Sequence, residues 1–188
     1  MPGDPGQPHG RYFSTFNLLL VATIAALMVV GNVALKLPLK LPGHSGVVWM
    51  ALLVVARRVV PKPGAALAAG LLSGTVALFF GVGDKGGLDT LLSYLAAGAG
   101  VDAVATFTGA TAGAWACAAA GLAGNLAKLG VKIALDVWIG IPTGFALIGR
   151  LYPAVSHTVF GLAGGYLGYL VVEALRRSGY FAYLAEKR

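Results

Sequence analysis

Six stretches of the chain are mostly apolar, and short polar or Gly- and Pro-rich segments separate them. They are residues 13–35, 46–60, 65–82, 88–107, 112–139 and 154–175. A transmembrane helix needs about 20 mostly apolar residues. The pattern therefore predicts an all-α membrane protein, a compact bundle of six transmembrane helices over residues 12–178. Residues 1–11 hold three Pro and three Gly and almost nothing apolar. They read as a disordered tail without the basic start and cleavage site of a secretory signal. Residues 179–188 read as a second tail.

The fifth stretch is the most informative. Asn125, Lys128 and Lys132 stand at i, i+3 and i+7 in a run of Ala, Leu, Gly, Val and Ile. On an α-helix they share one face, and Asp136 extends the stripe by a turn. Each lysine in a hydrophobic helix costs about 2.5–3.5 kcal/mol on insertion scales. Two readings follow: the stripe walls a solute site, or the lysines reach past the lipid to the headgroups. Lys128, eight residues from Asp136, is the lysine left for a ligand unless Asp102 reaches it. A solute with a carboxylate or phosphate would gain charge-assisted hydrogen bonds there.

The other stretches add candidates. Span four carries Tyr94 and, inside its apolar run, Asp102. An intramembrane carboxylate is a functional group by default and a structural ion pair or cap otherwise. Span six carries His157 and Tyr166, with His157 entering near the outer level of Asp136. Between spans one and two, Lys36-Leu-Pro-Leu-Lys-Leu-Pro-Gly-His-Ser-Gly46 cannot form a regular helix. It reads as a loop folding over the solute, with His44 approaching from above. Trp49 follows as an interface anchor or a platform for a flat ligand. Span two is short, and Arg57 and Arg58 at its end are expected to snorkel. Ala22 and Ala26 in span one are small residues four apart, a spacing that admits a close partner helix.

The chain has 188 residues, 57% hydrophobic and 11% charged, against about 25% charged in a soluble domain. The net charge is +7. Its basic residues cluster before span one (Arg11), after span two (Arg57, Arg58, Lys62) and after span six (Arg176, Arg177, Lys187, Arg188). The positive-inside rule then puts both termini in the cytoplasm and the protein in the cell membrane. Lys36, Lys40, Lys85 and Arg150 fall outside and give an electropositive entrance. No soluble basic domain is present for nucleic acid. The single Cys117 excludes an intrachain disulfide and a Cys-based zinc cluster. No hydrolase, Walker or Rossmann motif appears. The reading is not an enzyme, with no cofactor and no metal.

Two motifs carry a resemblance. Pro61-Lys-Pro-Gly-Ala-Ala-Leu67 opens span three, and Gly98-Ala-Gly-Val-Asp-Ala-Val104 lies in span four. Both are similar to the hydroxymethylpyrimidine/thiamine-type family of substrate-binding S-components of energy-coupling factor (ECF) transporters. That family has Gly-x-Gly-x-Glu-Ala-Val in its fourth span, so Asp102 falls on the glutamate, and Asp136 falls on a late aspartate of span five. The family's acidic residue early in span three has no counterpart, since positions 69–73 read Ala-Gly-Leu-Leu-Ser. The resemblance implies six helices and capture of a micronutrient from outside. It also implies docking, through Ala22 and Ala26, on a coupling transmembrane subunit with two ATPases. It implies a pyrimidine as solute, whereas the two lysines favour an anionic or zwitterionic heterocycle. A stand-alone permease or channel is the competing class.

Overall fold

The computed structural model describes residues 13–34, 46–81, 87–109 and 112–179. Among them are seven helices and no strand: α1 (Thr15–Ala34), α2 (Gly46–Val59), α3 (Ala65–Phe79), α4 (Leu88–Thr108), α5 (Ala114–Trp138), α6 (Thr143–Ile148) and α7 (Leu151–Arg177). Six of them match the six predicted stretches within a few residues. The short α6 was not predicted. Pro142 ends the break after α5 with φ −54° and ψ 135° and starts this six-residue helix. Pro153, just ahead of the predicted stretch 154–175, sits in the first turn of α7, where its missing N–H costs nothing.

α4, α5 and α7 are each long and apolar enough to cross a membrane. α1 and α3 are shorter apolar helices, and α2 has only 14 residues. Large apolar side chains cover the outside of the bundle, among them Leu19, Val30, Phe79, Val155 and Leu170. This is the surface of a multi-pass membrane protein.

The helices approach closely because their seams are made of glycine. α5 packs between α4 and α7, α3 packs on α4, and α2 packs on α7. A Cβ on Gly165 of α7 would collide with the Cys117 carbonyl of α5, and one on Gly98 of α4 with the Ala66 carbonyl of α3. Interfaces of small residues are the usual means of packing helices in lipid, where no hydrophobic effect pushes them together. α1 stands apart, touching only α3 and α2 to any extent.

One end of the bundle is fixed by buried charge. Arg57 and Arg58 are 5% and 7% exposed, so they do not snorkel as expected. α2 ends so early that its last turn lies under α4, α5 and α7 rather than at a headgroup. Arg57 Nε lies 3.0 Å from Asp102 Oδ1, although off the line that a hydrogen bond requires. Arg58 Nη1 donates to Cys117 Sγ at 3.4 Å, and its guanidinium lies 5.0 Å from the centre of the Tyr169 ring. Asp102 Oδ2 accepts the Leu67 N–H at 2.7 Å. That amide belongs to the first turn of α3, where helix N–H groups lack partners. Asp102 is therefore a cap supplied by a neighbouring helix, paired with an arginine.

Candidate functional site

Toward the other end, four helices bring five of the predicted residues together. Trp49 comes from the first turn of α2, Tyr94 from α4, Asn125 and Lys128 from α5, and His157 from α7. All five are buried. The Trp49 and Tyr94 rings meet with centroids 3.9 Å apart at 39°. Trp49 is thus a core aromatic and not an interface anchor. Lys128 Nζ lies 5.8 Å from the Tyr94 ring centre, within the range of a cation–π contact.

Asn125 is fully buried and bonded twice to His157. Its Nδ2 donates to the His157 carbonyl at 2.8 Å, and its Oδ1 faces His157 Nδ1 at 3.0 Å. The first contact fixes the amide's orientation, so Oδ1 must accept and Nδ1 must carry the proton. A neutral His157 then presents Nε2 as an acceptor. Gly46, the first residue of α2, leaves room for this pair: a Cβ there would fall 2.8 Å from Asn125 Nδ2.

His157 was expected near the level of Asp136 and does not lie there. It pairs with Asn125, eleven residues earlier on α5, or roughly 16 Å along the axis. Asp136 is instead held by Arg150, whose Nε donates to Oδ2 at 3.0 Å and whose Nη2 donates to the same oxygen. Lys132 and Asp136 line a cavity with Asp89 and Arg150, away from the five-residue cluster.

Two candidates lie away from the site. Asp102 belongs to the charged end described above, about 12 Å along α4 from Tyr94. Tyr166 is 48% exposed and stacks on Tyr169 with ring centres 6.3 Å apart. His44 and the loop that carries it lie outside the described residues. Ala22 and Ala26 are both exposed on α1. Asp89 and Arg150, which line the cavity with Lys132 and Asp136, were not among the candidate site residues. The signal for Asp89 was an acid in the first turn of a predicted helix, and for Arg150 a lone cation beside a break.

Among the described residues, no group of three or more His, Cys, Asp or Glu comes together. The chemistry available is an aromatic pair, one ammonium, one amide and one imidazole. That set can stack on a flat ring, attract an anion, and both donate and accept hydrogen bonds.

Comparison with known proteins gives two findings. The crystal structure of an S-component of an ECF transporter superposes with a TM-score of 0.61 at 21% identity, covering 93% of this chain and 88% of that one. The likeness establishes the fold. No curated protein sequence matches the chain. The profile of a family described as the permease component of an ABC-type cobalt transport system matches residues 15–130. That span takes in α1–α4 and the part of α5 that carries Asn125 and Lys128, and on it the chain belongs to the family of permease components of ABC-type cobalt transport systems.

Proposed function

We propose that the protein is the substrate-capture subunit of an ECF-type importer, taking a small heterocyclic micronutrient with an anionic or zwitterionic group. The observation that carries this reading is the meeting of Trp49, Tyr94, Asn125, Lys128 and His157 from four helices. Buried polar groups inside a membrane bundle are costly and mark solute paths. The Trp49–Tyr94 pair would pack as one aromatic wall against a single side of the ring, and Lys128 would meet its carboxylate or phosphate. Asn125 and His157 would read its polar edge. Loop one, with His44, would close over it.

The cytoplasmic side is the end with Arg57, Arg58, Arg176 and Arg177, so the solute enters at the opposite end. Cysteines at Lys62 and Tyr152, in a Cys117→Ala background, would then be labelled from opposite sides. Labelling from one side would reverse the topology. The ATPases would belong to partner subunits bound through a coupling subunit on α1.

A neutral or cationic pyrimidine is the second reading, favoured by the aromatic pair and by the motifs of residues 61–67 and 98–104. The family description names cobalt. A lysine ammonium beside an amide and one imidazole suits an organic solute better than a bare cation, which prefers several unprotonated N, O or S ligands. The deciding experiment is binding to the purified protein of anionic heterocycles, thiamine-like pyrimidines and Co²⁺, with and without Lys128→Met. Loss of an anionic ligand by about 2 kcal/mol fits a charge-assisted contact. Unchanged anion binding, or tight binding of thiamine or Co²⁺ by the unmutated chain, overturns the anionic reading.

A further inference from the structure

A cavity lies at the outer ends of α4 and α5, half open and about 460 Å³ in volume. None of the five residues of the proposed solute site lines it. Its polar wall is Asp89 from the first turn of α4, Lys132 and Asp136 from the end of α5, and Arg150 at the N-cap of α7. Leu88, Leu135 and Ile139 form the apolar remainder. The four charged residues are each half-buried.

The charges sum to zero, with Lys132 and Arg150 against Asp89 and Asp136. A net anion entering here would meet two carboxylates, and a net cation would meet two cations. An occupant with separated opposite charges answers both, through charge-assisted hydrogen bonds at each end. The volume is within the roughly 300–1,000 Å³ of small-molecule pockets and far above the about 30 Å³ of a water. The surroundings indicate depth. Leu88 and Ile139 are 64% and 73% exposed, and Trp138 beside them is 84% exposed. Exposed Trp next to apolar residues at a helix end is the signature of the bilayer interface. The cavity therefore opens where headgroups lie.

We infer that this cavity binds a zwitterion made of an ammonium and a phosphate, with the phosphate on Lys132 and Arg150 Nη1 and the ammonium on Asp89 and Asp136 Oδ1. The Arg150–Asp136 contact through Nε, Nη2 and Oδ2 stays in place between them. Two sources share that chemistry: the headgroup of phosphatidylethanolamine and a free amino-phosphate. In the lipid case, Leu88, Leu135 and Ile139 would take the start of the acyl chains.

The test uses the full chain in nanodiscs containing equal phosphatidylethanolamine and phosphatidylglycerol, with retained lipid read by native mass spectrometry. Phosphatidylethanolamine should be retained several-fold over phosphatidylglycerol. Lys132→Gln and Asp89→Asn should each lower that preference about three- to fivefold, as for partly exposed ion pairs. Displacement by O-phosphoethanolamine would show that the free zwitterion suffices. Retention unaffected by it would assign the lipid. Equal retention of the two lipids, or a preference that neither variant moves, overturns the inference. The lipid comparison uses unmutated protein, so a variant that fails to fold does not obscure it. Solute binding at Lys128 is measured separately and can fail without touching this result.

Discussion

Asn125 and His157 hold one another by two contacts across the α5–α7 seam, at 2.8 and 3.0 Å, with neither residue more than 4% exposed. The arrangement fixes the histidine tautomer and ties two helices where the glycine seam ends. Truncating the amide removes both contacts at once. Asn125→Ala leaves the buried Nδ1–H without its partner, at a cost of about 1–3 kcal/mol. The thermal midpoint in detergent should fall accordingly, and solute binding should weaken because Nε2 loses its defined position. An unchanged midpoint together with unchanged binding would show that the pair does neither.

Much of this was readable from the residues, and the rest was hidden for definite reasons. Asn125 and Lys128 were found because a 3.6-residue period puts them on one face, and Trp49, Tyr94 and His157 because polar or aromatic groups stand out in an apolar run. Helix rotation and depth are absent from a linear pattern. Asp102 and Asp136 therefore looked like counter-charges for the lysines, whereas each faces an arginine, Arg57 and Arg150. Arg57 and Arg58 looked like snorkelling residues at a helix end. Burial follows from how α2 packs on α7, which no local signal records. The short α6 has too few residues to leave a periodic trace, and the Pro142 break marks only its start.

The Arg57–Asp102 pair gives a second prediction. Removing one partner from a buried pair leaves an uncompensated charge, at about 3–5 kcal/mol. Arg57→Leu should therefore lower the folded yield sharply. Asp102→Leu should do the same and also remove the acceptor for Leu67 N–H. The double variant Arg57→Leu with Asp102→Leu should lose less than either single change, retaining only a cap penalty of about 1 kcal/mol. Chemical unfolding of the four proteins in mixed micelles measures the coupling. Additive losses would mean that the pair contributes nothing as a pair. Solute affinity of any variant that folds should stay at the unmutated value, because this cluster is distant from Lys128.

The last prediction concerns α1. It contacts little besides α2 and α3, and Leu18, Ala22, Ala26 and Val30, each four residues apart, are all exposed. Thr23, next to this stripe, satisfies its hydroxyl within the helix by donating to the Leu19 carbonyl at 2.8 Å. The face is thus apolar, low in the middle and free of unmet polar groups, which suits another helix sliding against it. Two tryptophans at the low positions would hold a partner off without disturbing the bundle, because both alanines point away from it. Ala22→Trp with Ala26→Trp should leave the thermal midpoint and solute affinity as they are. Co-purification with a coupling transmembrane subunit should fall at least tenfold, equivalent to about 1.4 kcal/mol, and ATP-driven uptake should fall with it. Normal co-purification and uptake by the double variant would remove α1 as the docking face, and a drop in solute affinity would mean that the stripe supports the site from within the bundle.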